Sequence, residues 1–135
     1  MEILFHRSTE TGLTTQLLNT TFAFVGSEKV HVTSTIETLI GALLAYRVEM
    51  PIVVIQVNNF ANALEIKGLS DILNDLFLII VAENIEKKVM TGCLDLYPRL
   101  LIHDNNDLGV FAAVIEKHLE KTEHRNHQRN HRTRL

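Results

Sequence analysis

The sequence predicts a three-layer α/β domain, a parallel sheet with helices on both faces. Three observations lead there. Apolar runs of strand character alternate with stretches of helical periodicity from one end of the chain to the other. Residues 52–57, 76–82 and 100–102 are nearly continuous in apolar side chains, as expected of strands buried on both faces, which belong to parallel sheets. The chain has 135 residues, 46% hydrophobic and 21% charged, enough to close one core without staples.

The elements follow in order. Ile3, Leu4 and Phe5 form a short first strand. Leu13, Leu17, Leu18, Phe22 and Val25 then recur at helical spacings, and Gly26-Ser27 closes that helix. Val30 to Thr33 is β-branched enough for a second strand. Ser34 and Glu37 have the spacing of a capping box, and Ile36, Leu39, Ile40, Leu43 and Leu44 fall on one helical stripe. Pro51 ends that region before the third strand. Residues 60–74 read as a helix weakened by Gly68, and 76–82 as the fourth strand. A short helix over 85–92 and a fifth strand over 100–102 follow. Asp107 is placed to cap the last helix, whose inner face is Leu108, Phe111, Val114, Ile115, His118 and Leu119. The order is (βα)₅, which implies right-handed crossovers and a doubly wound sheet.

Composition and charge exclude several classes. A single cysteine, Cys93, leaves no disulfide framework and no cysteine-based zinc site, so a reducing cytoplasm is the expected compartment. No apolar run approaches the roughly 20 residues of a membrane helix, and the first residues do not read as a secretory signal. The net charge is -3. Residues 121–135 carry five Lys and Arg against one Glu, so the body holds the remaining eight cations against fifteen carboxylates. An acidic body with a basic tail does not suggest a nucleic-acid-binding domain. The tail has no apolar face and is expected to fray. His124, His127 and His131 would align on a helix, but the interleaved arginines oppose a bound cation, and no metal is expected there.

In parallel α/β sheets, function sits at the carboxyl ends of the strands. Those ends carry His6, Arg7, Ser8 and Thr9 after the first strand and Gln56, Asn58 and Asn59 after the third. Val81, Ala82, Glu83 and Asn84 follow the fourth, and His103, Asp104 and Asn105 the fifth. The first and third ends offer no carboxylate for a hard cation. No Gly-rich phosphate loop and no G-x-S-x-G elbow occurs. Neither a cofactor nor a metal is expected. His6 and His103 could pair, but two histidines without a third ligand are more simply polar strand ends. Asn58, Asn59, Glu83 and Asp104 could line a polar cleft. Cys93 follows Gly92 with no cation beside it, so it reads as a packed structural thiol.

The order and the strings Ile52-Val-Val-Ile-Gln-Val-Asn58, Leu78-Ile-Ile-Val-Ala82 and Arg99-Leu-Leu-Ile-His-Asp104 resemble the receiver domain of bacterial response regulators. The resemblance covers residues 1–120 and implies a flavodoxin-like fold with strand order 2-1-3-4-5. It sets Gln56 where the aspartate phospho-acceptor belongs, Val81 where the switch hydroxyl belongs and His103 where the lysine belongs. His6 and Arg7 stand where the acidic pair belongs. Each family residue that carries phosphotransfer is thereby replaced, and the chain resembles a degenerate, non-catalytic pseudo-receiver acting through protein partners. The resemblance also implies a homodimer through 86–94, 99–103 and 108–119, stretches bounded by Glu86 and Leu94, Arg99 and His103, and Leu108 and Leu119. The alternatives are a flavodoxin-like domain binding or transforming a small molecule in the carboxyl-end cleft, and a subunit of a larger assembly. Gln56 is expected to face a hydrated cleft, flanked by His6 and Val81, so that Gln56→Asp should be close to neutral for folding.

Overall fold

A computed structural model describes the backbone of residues 1–133 and the side chains of residues 1–122. Five parallel strands, β1 (Ile3–His6), β2 (Val30–Thr33), β3 (Ile52–Gln56), β4 (Phe77–Val81) and β5 (Leu100–Ile102), form one sheet in the order 2-1-3-4-5. The helices are α1 (Gly12–Phe24), α2 (Ile36–Tyr46), α3 (Phe60–Lys67), α4 (Ser70–Leu73), α5 (Lys87–Leu94) and α6 (Leu108–Thr133). This is the three-layer architecture that the alternation of elements predicts, with the flavodoxin-like strand order that the resemblance implies.

Two cores flank the sheet. Successive strand residues point to opposite faces, so Leu4, Val53, Ile55, Leu78 and Ile80 pack with α2, α3 and α5. Ile3, Phe5, Val54, Ile79 and Val81 pack with α1 and α6. Val54 and Ile79 are completely buried. Both cores rest on β3 and β4, whose near-continuous apolar runs are the chain's clearest strand signals.

Local details depart from the sequence reading where polar side chains compete. The box at the start of α2 is Thr35 with Thr38, each hydroxyl bonding the other's backbone amide, in place of Ser34 with Glu37. Thr11 and Thr14 repeat the device at α1. Threonine, like serine, carries a hydroxyl close enough to the backbone to cap. On α1, Thr21 takes an inward place by donating its hydroxyl to the Leu17 carbonyl, while Phe22 turns toward solvent. Leu44 of the α2 stripe is likewise exposed.

The 60–74 helix is broken at Gly68 into α3 and α4, and the next helix lies two residues later than expected. At the last helix Asp104, not Asp107, is the cap of a short 3₁₀ turn over Asn105–Asp107, and its carboxylate accepts from the Asn106 amide. Asp107 reaches back to accept from the His103 amide at 2.8 Å. Where a frayed basic tail is expected over 121–135, the backbone continues as α6 through Thr133, while the side chains beyond Thr122, those of the three histidines included, and residues 134–135 lie outside the described residues. Among the described residues no helix is long and apolar enough to cross a membrane.

Candidate functional site

The carboxyl ends of the strands form one polar surface, and its centre is Gln56. Gln56 ends β3 directly beside Val81 of β4 and is 2% exposed. Its side chain lies on the α1 and α6 side of the sheet, where the loop between β1 and α1 crosses it. There the Thr9 amide donates to Gln56 Oε1 and Gln56 Nε2 donates to the Thr9 carbonyl, both at 3.0 Å. The expectation of a hydrated Gln56 is therefore corrected. Strand ends are wet only where no loop folds over them, and here the β1–α1 loop uses the carboxamide as its partner.

Arg7 does not enter this centre. Its guanidinium donates to Thr15 Oγ1 at 3.1 Å and Thr14 Oγ1 at 3.4 Å and pairs with Glu10 at 3.3 Å, tying the loop to the start of α1. Asn58 Nδ2 donates to Ser8 Oγ at 2.8 Å, and the Asn58 amide donates to Asn62 Oδ1 at 3.1 Å. Asn59 caps α3 by accepting from the Asn62 amide. Asn84 Nδ2 reaches the Asn58 carbonyl at 3.3 Å, so the loops after β1, β3 and β4 are joined through neutral amides and hydroxyls.

The sheet separates the two histidines. His6 is paired in register with Ile55, not Gln56, so it shares the α2 and α3 side and is 3% exposed. Its Nδ1 lies 2.8 Å from Thr33 Oγ1. Burial lowers its pKa, with the charge of Glu65 acting weakly in the other direction. His103 lies across the sheet, its Nδ1 3.3 Å from the Ala82 carbonyl, in a cleft of about 370 Å³ shared with Gln16, Glu83 and Asp104. His6 opens instead on a cleft of about 310 Å³ with Asn58, Asn59 and Glu65. The flanking of Gln56 by His6 is thus corrected, since alternation sends neighbouring strand positions to opposite faces. Asn58 and Asn59 line one cleft and Glu83 and Asp104 the other, while Gln56 lines neither.

No protein-family model and no curated protein matches the chain. A solved structure does match, that of a Burkholderia pseudomallei protein described as pilus assembly-related, with TM-score 0.55, 14% identity, 84% of this chain and 90% of that chain covered. The likeness is one of fold.

Two features of the molecule had no clear signal in the sequence. Thr9 enters through its backbone, which no side-chain motif announces. At the opposite end of the sheet Glu2, only 8% exposed, accepts from His31 Nε2 at 2.5 Å and from Lys29 Nζ at 3.4 Å. Tyr46 stacks on His31 with centroids 4.1 Å apart. Burial works to raise the Glu2 pKa, but the hydrogen bonds and charges of His31 and Lys29 outweigh it and hold the carboxyl below its usual range. Cys93 is fully buried in the core between α3 and α5, and burial pushes its thiol up to about 11. That is the environment of a packed thiol rather than a nucleophile.

Proposed function

We propose that the chain is a non-catalytic, receiver-like protein-interaction module in bacterial signal transduction or regulation. The observation that carries this reading is the engagement of Gln56, which by resemblance stands at the phospho-acceptor position. Both polar atoms of its side chain are committed to Thr9. A carboxamide cannot form an acyl phosphate, and no oxygen is left to present to a phosphoryl donor. The neighbours agree: Val81 has no hydroxyl, Arg7 is tied to α1, and His103 belongs to the adjoining cleft. Catalysis by phosphotransfer would need carboxylates to hold Mg²⁺ here, and the first and third strand ends carry none. The likeness in fold to a protein described as pilus assembly-related is compatible with a regulatory role in an assembly.

The interaction face we favour is α5, β5 and α6. β5 is an edge strand with one side unpaired, and Leu94 and Val110 on the flanking helices are 59% and 50% exposed. Pairing of two copies there would bury both. Incubation with acetyl phosphate and Mg²⁺, followed by intact mass, tests the reading. No phosphoryl adduct is expected, and a single-site gain of one would overturn it. Sedimentation of the full chain against a Leu94→Glu, Val110→Glu variant tests the face, the expected outcome being a dimer that the variant dissociates.

A further inference from the structure

We propose that the cleft between the first turns of α2 and α3 binds a small oxyanion, a phosphate or carboxylate group, between the backbone amides of both helices and the His6 side chain at its floor. The site lies across the sheet from Gln56 and does not rest on the receiver-like reading.

Ser34, Ile36, Asn59 and Ala61 form the walls of this cleft of about 310 Å³. Ile36 begins α2, an eleven-residue helix, and Ala61 lies in the first turn of α3, an eight-residue helix. Each cap residue serves one amide, Thr35 that of Thr38 and Asn59 that of Asn62. The amides of Ile36, Glu37, Phe60 and Ala61 have no helical carbonyl to bond, and two helix dipoles present their positive ends to the same space. Anions are stabilised in such a place.

His6 supplies the independent observation. It is 3% exposed, and Nδ1 is occupied by Thr33 Oγ1. Nε2 has no hydrogen bond to any described residue. Yet among the described residues no buried side-chain nitrogen or oxygen is left without a partner, so Nε2 opens on the cleft. A buried imidazole with one nitrogen satisfied and the other turned to a polar cavity is arranged to meet a ligand. Burial favours the neutral ring, and an arriving anion would stabilise its protonated form.

The charged groups around it are few. Glu65 of α3 lines the cleft and is exposed, Glu37 of α2 is exposed, and the Arg7 guanidinium is turned to α1. Glu65 opposes an anion from the rim, which makes it a useful probe. A metal ion fits less well, since no group of three His, Cys, Asp or Glu converges among the described residues.

The test is a ¹H–¹⁵N NMR titration of the full chain with inorganic phosphate at constant ionic strength, with acetate as a second arm. Saturable shifts are expected at the amides of Ile36, Glu37, Phe60 and Ala61, together with a rise in the pH midpoint of His6. Saturation by phosphate alone assigns a phosphoryl group, and saturation by acetate a carboxylate. Glu65→Gln, at an exposed position of α3, should tighten binding roughly two- to fivefold. Non-saturating shifts in both arms overturn the proposal. So does an unmoved His6 titration, or an affinity indifferent to Glu65→Gln.

Discussion

The carboxamide of Gln56 and the backbone of Thr9 exchange two hydrogen bonds, each 3.0 Å, across 47 residues of sequence. The side chain pairs with the loop much as a peptide group in a neighbouring strand would. The end of β3 and the entry to α1 are thereby held together without charge.

Gln56→Asp removes the donor to the Thr9 carbonyl and sets a carboxylate against that oxygen in a site 2% exposed. The expected cost at neutral pH is about 2–4 kcal/mol, an unsatisfied buried acceptor plus a buried charge. Burial would raise the new carboxyl's pKa, so the deficit should shrink as the pH falls and the group protonates. Urea unfolding at pH 5 and pH 8 checks both size and sign. The variant should still gain no phosphoryl group, because no acidic pair stands beside it to hold Mg²⁺.

Gly92 of α5 meets Ala63 of α3 closely: a Cβ added at position 92 would lie 2.9 Å from the Ala63 Cβ. Gly92→Ala should therefore destabilise by about 1–3 kcal/mol despite alanine's better helix propensity. Combining it with Ala63→Gly should cost less than the sum of the two. A double-mutant cycle by chemical denaturation gives the coupling, and additivity would mean that the helices do not touch there.

Glu2 has a native pKa below its unfolded value of about 4.5. Such a group stabilises the fold above the unfolded pKa, and that stability is lost as the pH falls through the lower native value. Glu2→Gln should thus be less stable than the parent at pH 7 and converge with it in acid, as the pH falls through the lowered native value. Parallel curves over this range would show that the His31 and Lys29 contacts leave no net effect.

Cys93, buried and with its thiol raised to about 11, should react with iodoacetamide at pH 8 only through opening of the fold. The labelling rate should rise with urea in step with the opening equilibrium. Fast modification of the native protein would place the thiol at the surface instead.

The amino-acid sequence by itself determined the alternation of strands and helices, the parallel sheet, and the lack of carboxylates directly after its first and third strands. Those properties reside in short windows: the apolar runs of β3 and β4, the helical stripe through Leu39 and Leu43, and the residue types after each strand. Strand order came from resemblance to a family, and the sheet has that order. Tertiary structure alone decided how the end residues are shared out. His6 and Gln56 close adjacent strands, yet register and pleat send them to opposite faces, so they line different surfaces. Gln56 is dry because the backbone of Thr9 lies over it, and a backbone partner has no signature in residue type. Capping also escaped the sequence, because Thr35 with Thr38 and Ser34 with Glu37 are equally spaced candidates and only the direction of the chain entering α2 separates them.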